Sequence, residues 1–247
     1  MKPYSLEDKR ILLTGASSGI GRACSVCAAK LGAHVVLTGR RMSALEETLS
    51  LCSGNGDVIA GDITSAEFVR ELVERAGKID GLVHAAGIGP MCPIGMLTND
   101  HVESVMHTNY YSFLNLMRYY SKSKYRSTQF SVAVVSSVSY EAGWAGGSVY
   151  CGSKGALSAS VRALAMEMAP KGIRVNAVCP SNIRTPLFEA GASDMNDDAG
   201  LKELLKKQPL GLGEPEQVAW PVCFLLSDAA SFITGVNLPV DGGYLAQ

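Results

Sequence analysis

Tyr150 and Lys154 lie four residues apart in a segment of helical composition, Val149–Ala169, so both side chains project from one helix face about one turn apart. A phenol held beside an ammonium can exchange a proton with an oxygen atom. The cation favours the phenolate and draws a group that normally titrates near ~10 towards working pH. Many Tyr and Lys pairs at this spacing only decorate a helix, so the neighbours decide. Thirteen residues upstream of Tyr150, at the end of the short β-type run Ser131–Ser136, Ser137 offers a hydroxyl able to bond and orient a carbonyl, with Ser136 and Ser139 as close competitors. Asn109 is a poor helix former inside the helical stretch Thr98–Ser121. Its amide can bond backbone or water and serve a proton relay, or it can be an exposed polar residue.

A second constellation stands near the N-terminus. Directly after the first β-type run comes Thr14-Gly15-Ala16-Ser17-Ser18-Gly19-Ile20-Gly21, leading straight into helical sequence. Glycines here let the backbone turn tightly and approach a pyrophosphate, and the helix N-terminus offers unpaired N–H groups with partial positive charge. A glycine-rich turn alone can simply join a strand to a helix. The strand before it and the helix after it point to a dinucleotide site at Gly15, Ser17, Ser18, Gly19, Ile20 and Gly21. The second strand ends in Thr38-Gly39-Arg40-Arg41, where an NAD site would typically carry a carboxylate for the ribose hydroxyls. Arg40, with Arg41 beside it, can instead hold a 2′-phosphate by charge-assisted bonds, so NADP(H) is favoured over NAD(H). The alternative is a pair of solvated surface charges.

These groups need a scaffold, and the sequence alternates between β-type and helical segments. Arg10–Thr14, Ala33–Thr38, Asp57–Ala60, Gly81–Ala85, Ser131–Ser136, Arg174–Val178 and Val236–Pro239 read as strands. Gly19–Leu31, Ser43–Cys52, Ser65–Ala76, Thr98–Ser121, Val149–Ala169 and Glu216–Leu226 read as helices. The expectation is one α/β domain over residues 1–247, a doubly wound, Rossmann-like seven-stranded parallel sheet with helices on both faces and ligands at the carboxyl strand ends. Residues 186–213 break the rhythm with a polar cluster and a short helix at Leu201–Lys207, and are expected to form a substrate lid or an ordinary surface loop.

The 247 residues are 47% hydrophobic, enough for one large core, and 22 basic against 23 acidic residues leave no basic stripe for nucleic acid or an acidic membrane. A small-molecule substrate fits better. Apolar runs are short and Met1–Arg10 is polar, so neither a membrane span nor a signal peptide is expected. Seven scattered cysteines argue for free thiols in a reducing cytoplasm. Cys24 and Cys27 form a C-x-x-C within an apolar helix, which reads as core packing; no metal site is expected.

Taken in order and spacing, Thr14 to Gly21, Asn109, Ser137 and Tyr150-Cys-Gly-Ser-Lys154, with the closing Val240-Asp241-Gly242-Gly243, resemble the short-chain dehydrogenase/reductase family over nearly the whole chain. The resemblance is nearest to 3-oxoacyl-carrier-protein reductases and their relatives. It implies an oxidoreductase that interconverts a ketone and a secondary alcohol with NADP(H). Tyr150 would be general acid or base, Ser137 would steady the substrate oxygen, Asn109 would anchor a water relay, and Lys154 would bond the nicotinamide ribose and lower the Tyr150 pKa. Asp62 and Ile63 match positions that contact adenine, Ile183 and Thr185 match residues at the carboxamide end, and Ala86 and Gly87 supply backbone contacts. Asp62 by itself reads as a loop or capping carboxylate.

Two departures stand out. His84-Ala85-Ala86-Gly87 replaces the family's Asn-Asn-Ala-Gly, and Ser181 replaces a glycine after Pro180, putting a side chain near the nicotinamide. A lone buried histidine such as His84 is more often a satisfied core residue than a base. Tyr140, Trp144, Met91, Met96 and Phe188 are expected either to border the substrate pocket or to pack under loops, with Glu141 beside them. An NADP-linked alcohol, sugar or steroid dehydrogenase is the competing activity, and a non-catalytic cofactor-binding sensor the competing class. The family also implies a homo-oligomer, tetramer or dimer, packed through Ala156, Ser158, Ala159 and Ser160; an intrachain role for that face is the alternative.

Overall fold

The computed structural model describes residues 3–193 and 206–247. Seven parallel strands form one sheet in the order β3-β2-β1-β4-β5-β6-β7. They are β1 (Arg10–Thr14), β2 (His34–Gly39), β3 (Gly56–Ala60), β4 (Ile79–His84), β5 (Arg126–Val135), β6 (Ile173–Pro180) and β7 (Asn237–Val240). All seven expected strands are present. β5 starts at Arg126 instead of Ser131, because its leading residues pair with Ile79 across a register shift in β4.

The helices are α1 (Gly19–Lys30), α2 (Met42–Leu51), α3 (Ala66–Ala76), α4 (Asn99–Met106), α5 (Ser112–Tyr120), α6 (Ser148–Met168), α7 (Pro186–Ser193) and α8 (Pro215–Leu226). Alternate residues of the buried strands enter opposite cores, as the period of two requires. Ile11, Leu13, Val35 and Leu37 pack with α1 and α8, whereas Leu12, Val36, Leu82 and Val132 pack with α3, α5 and α6. The strand order turns back at β1, whose neighbours are β2 and β4, and this opens a crevice beyond the carboxyl ends.

Cys24, Cys27 and Cys223 are buried where α1 meets α8, and burial pushes the Cys27 thiol up to about 11. The C-x-x-C is core, and no cluster of metal-ligating side chains occurs among the described residues. None of the helices described is long and apolar enough to cross a membrane.

The single helix expected over Thr98–Ser121 is divided. A wider π turn, His107–Tyr111, separates α4 from α5 and swings Asn109 from the surface into full burial. The expected segment 186–213 begins with α7; residues 194–205, including most of the Leu201–Lys207 helix, lie outside the described residues.

Candidate active site

A cleft of about 1270 Å³ crosses the carboxyl ends of the strands. Every cofactor residue expected from the sequence lines it, as do Ser137, Tyr150 and Lys154; Asn109 sits behind its wall.

At β1 the wall is main chain. Gly15 has φ +66, and a Cβ on Gly21 would stand 2.2 Å from the Gly15 carbonyl oxygen, so the turn admits no added atom. Ser18 heads α1 without a side-chain cap, and no acidic residue enters the first turn, which leaves the leading N–H groups for a phosphate. Two residues the sequence reading passed over hold this turn. The Thr14 hydroxyl accepts the N–H groups of Ala85 (3.2 Å) and Ala86 (3.1 Å), and Arg22 donates to the Ser17 carbonyl (2.9 Å) while pairing with Glu47. Thr14 acts across more than seventy residues of chain, whereas Arg22 reaches only five residues back to Ser17.

Arg40 and Arg41 are exposed at the cleft edge, and neither has an ion pair among the described residues. The Asp62 carboxylate accepts from the Thr64 N–H (2.9 Å) and hydroxyl (2.8 Å), and these bonds, helped by the Arg40 charge, hold it below the usual carboxylate range. A glycine cradle and a free helix N-terminus suit the pyrophosphate of a dinucleotide.

At β5 and β6 the wall is built of side chains. Lys154 is buried and donates to the Val135 carbonyl at 2.9 Å, with its ammonium 5.7 Å from the Tyr150 ring centre. Burial lowers the Lys154 pKa to about 8. Within the protein alone, desolvation raises the Tyr150 phenol, and the Ser137 hydroxyl pulls against it without prevailing. The phenol is therefore held protonated. Among the competing serines, Ser136 bonds Ser158 Oγ (2.8 Å) and the Lys154 carbonyl (3.2 Å) inside the core, and Ser139 accepts from Ser137 (3.0 Å) and Trp144. Only the Ser137 hydroxyl bears on Tyr150.

The Asn109 amide is clamped. It accepts from the Ile88 N–H (2.8 Å) and donates to the Ile88 carbonyl (2.9 Å) and Ser153 Oγ (2.9 Å). Both amide protons are spent, which leaves its main-chain carbonyl as the group open to a relay. His84 is a satisfied core residue. Because the Thr14 hydroxyl accepts two N–H groups, its own proton goes to His84 Nδ1 (3.1 Å), and Nε2–H points at the Asn109 carbonyl (3.4 Å). Burial, reinforced by the Lys154 charge, drops the His84 pKa to about 3.

Ser181 lines the cleft, and its hydroxyl proton is shared between Gln208 Oε1 (2.9 Å) and the Asp241 carbonyl (2.8 Å). Of the expected pocket wall, Met91, Trp144 and Phe188 line the cleft, joined by Leu187; Met96 is exposed and Tyr140 packs against the core. Glu141 is exposed beside Tyr140, whose pKa burial pushes up to about 12. On α6, Ser158 bonds Ser136 and Ser160 bonds the Tyr110 hydroxyl, so these two serve the chain's own core, while Ala159 and Met166 are exposed.

The family model described as enoyl-(acyl carrier protein) reductase matches residues 15–245. The chain belongs to the short-chain dehydrogenase/reductase family. Within it, the L-xylulose reductase of Mesocricetus auratus is 32% identical over 97% of this chain and 98% of that protein. The 3-oxoacyl-[acyl-carrier-protein] reductase of Rickettsia conorii is 34% identical over 97% and 98%. A candidate 2-deoxy-D-gluconate 3-dehydrogenase from Agrobacterium tumefaciens, solved with bound NADP, superposes with a TM-score of 0.91 at 30% identity, covering 100% of both chains. This short-chain dehydrogenase/reductase is accordingly an NAD(P)-dependent oxidoreductase acting between alcohol and ketone.

Proposed function

We propose that this enzyme reduces a small, free ketone to a secondary alcohol with NADPH. The observation that carries the reading is the Tyr150 phenol at the cleft wall, which it shares with Ser137 and with Lys154, whose buried ammonium stands 5.7 Å from the Tyr150 ring centre. Bound NADPH supplies the hydride. The chain's own groups do the rest: Ser137 donates to and orients the substrate oxygen, and Tyr150 gives that oxygen its proton. Lys154 holds the nicotinamide ribose and steadies the phenolate left behind. The Asn109 main-chain carbonyl, left over once its amide is clamped, anchors the water that returns the proton. Arg40 and Arg41 take the 2′-phosphate, Asp62 and Ile63 the adenine, Ala86 and Gly87 the adjacent ribose, and Ile183 and Thr185 the carboxamide. The NADP-bound neighbour supports this choice of cofactor.

The charged side chains that α4 brings to the cleft are Asp100 and Glu103, and the cleft's exposed cations, Arg40 and Arg41, stand beyond the end of β2. Among the described residues an acidic carrier protein finds no complement there, which favours a free substrate over an acyl-carrier thioester. The L-xylulose reductase relatives support a hydroxylated ketone, and oxidation of such an alcohol is the second reading. A homo-oligomer in the cytoplasm completes the proposal, with the exposed face of α6 at Ala159, Arg162, Ala163 and Met166 as contact.

Steady-state NADPH oxidation over a panel of ketones, with Tyr150→Phe alongside, tests it. The variant should lose about a thousandfold in kcat and keep its NADPH affinity. A Tyr150→Phe enzyme that turns over at the parent rate refutes the assignment.

A further inference from the structure

The cleft residues follow the order of the sheet. Asp62 and Ile63 come after β3, Arg40 and Arg41 after β2, Ser137 after β5, Ser181 after β6, and Tyr244 after β7 at the opposite edge from β3. A dinucleotide with its adenosine at Arg40 and its reactive end at Tyr150 leaves the β7 edge to the part of the substrate beyond its carbonyl. Tyr244 lines the cleft there.

Tyr244 is held in place by a network of hydrogen bonds around the turn that carries it. The Asp241 carboxylate accepts from the N–H groups of Gly243 (3.0 Å) and Leu245 (2.9 Å) and so fixes the turn that carries it. Gln208, which is buried, accepts from Ser181 Oγ (2.9 Å) and the Asn182 N–H (3.2 Å), and donates to the carbonyls of Asn182 (3.1 Å) and Gly211 (2.6 Å). The Leu210 N–H donates to the Gly242 carbonyl (3.1 Å), and Gln247 Nε2 donates to the Lys207 carbonyl (2.6 Å). The terminal turn is thus tied to residues 207–211 and, through Ser181 and the Asp241 carbonyl (2.8 Å), to the end of β6. In contrast to these saturated anchors, the Tyr244 phenol has no hydrogen-bond partner in the chain among the described residues.

We propose that Tyr244 is a specificity-determining residue, whose hydroxyl bonds a hydroxyl group carried beyond the reacting carbonyl of a hydroxy ketone. This rests on the reductase reading above. The bond is made equally to ground and transition states, so it acts on KM and leaves kcat alone.

The test measures NADPH oxidation by the parent enzyme, Tyr244→Phe and Tyr244→Ala on short hydroxy ketones and free ketoses, each paired with the ketone lacking the distal hydroxyls. NADPH affinity is titrated separately. Tyr244→Phe should raise KM about fivefold for the hydroxylated member of each pair, with kcat, the constants of the plain ketone and NADPH affinity unchanged; Tyr244→Ala should raise KM at least as much. Equal KM for parent and Tyr244→Phe on the hydroxylated probes overturns the assignment, as does an equal rise on both members of a pair or a weakened grip on NADPH. A parent that reduces only the plain ketones also overturns it. A parent that oxidises NADPH with no ketone at all fails earlier, at the reductase reading itself.

Discussion

Around β1 and β4 the cleft is walled by main chain, with Gly21 so close to the Gly15 carbonyl that a methyl group would stand 2.2 Å away, whereas around β5, β6 and the C-terminal turn it is walled by Ser137, Tyr150, Lys154 and Tyr244. A main-chain wall presents N–H groups whose positions are set by the turn, which suits a ligand common to many enzymes. A side-chain wall can be altered residue by residue, which suits the variable substrate. His84 stands at the seam, linking Thr14 of the first half to the Asn109 turn of the second.

The sharpest way to break this contrast is Gly21→Ala. Backbone cannot yield as a side chain tip can, so NADPH affinity should fall about a hundredfold and thermal stability should drop; calorimetric titration and a melting curve measure both. Retained affinity would show that the turn is not rigid.

On the side-chain half, Lys154 predicts opposite pH trends for activity and stability. Above its folded pKa of about 8 the ammonium is lost, so kcat/KM should fall up to tenfold per pH unit. Between there and the ordinary value of 10.5, the unfolded chain binds the proton that the folded chain has released, so stability rises with pH over the same window. Denaturant midpoints against rate profiles would separate the two.

The seam gives an effect on stability with the same sign, in the acid range. Neutral His84 stabilises the fold fully above its unfolded value of 6.5, and as pH falls towards about 3 the unfolded chain alone takes up the proton. Stability should decline by up to about tenfold in the folding ratio per pH unit, and His84→Asn should flatten that acid slope.

Smallest is Arg40→Ala, because an exposed, solvent-screened guanidinium contributes modestly. NADPH affinity should weaken about fivefold, with NADH affinity unchanged; an equal loss for both would detach Arg40 from the 2′-phosphate.

The parts of this design that could be read in advance were those that neighbours in sequence determine. The Tyr150 and Lys154 spacing places both on one turn of α6, the glycine turn is contiguous from Thr14 to Gly21, and each strand announces itself as a local apolar run. The rest depended on distant partners. Nothing near Asn109 reveals the π turn that buries it, and the choice of Ser137 over Ser136 follows from Ser158 reaching back from α6. Ser181 is expected near the nicotinamide and does line the cleft, but the bond that ties its hydroxyl to Gln208, twenty-seven residues further on, has no local signal. The rise of the Tyr150 pKa has the same origin, since desolvation is the sum of every segment that closes over the phenol.

By itself, the sequence determined the chemistry available: a phenol and an ammonium one helical turn apart, a glycine turn ahead of a helix, and two guanidinium groups in place of a carboxylate. The tertiary structure alone decided which hydroxyl meets the phenol, how the amide of Asn109 is spent, and that Tyr244 reaches the far end of the cleft. Bonding geometry along a chain is local, but burial and hydrogen-bond partnership are properties of whatever the fold brings alongside.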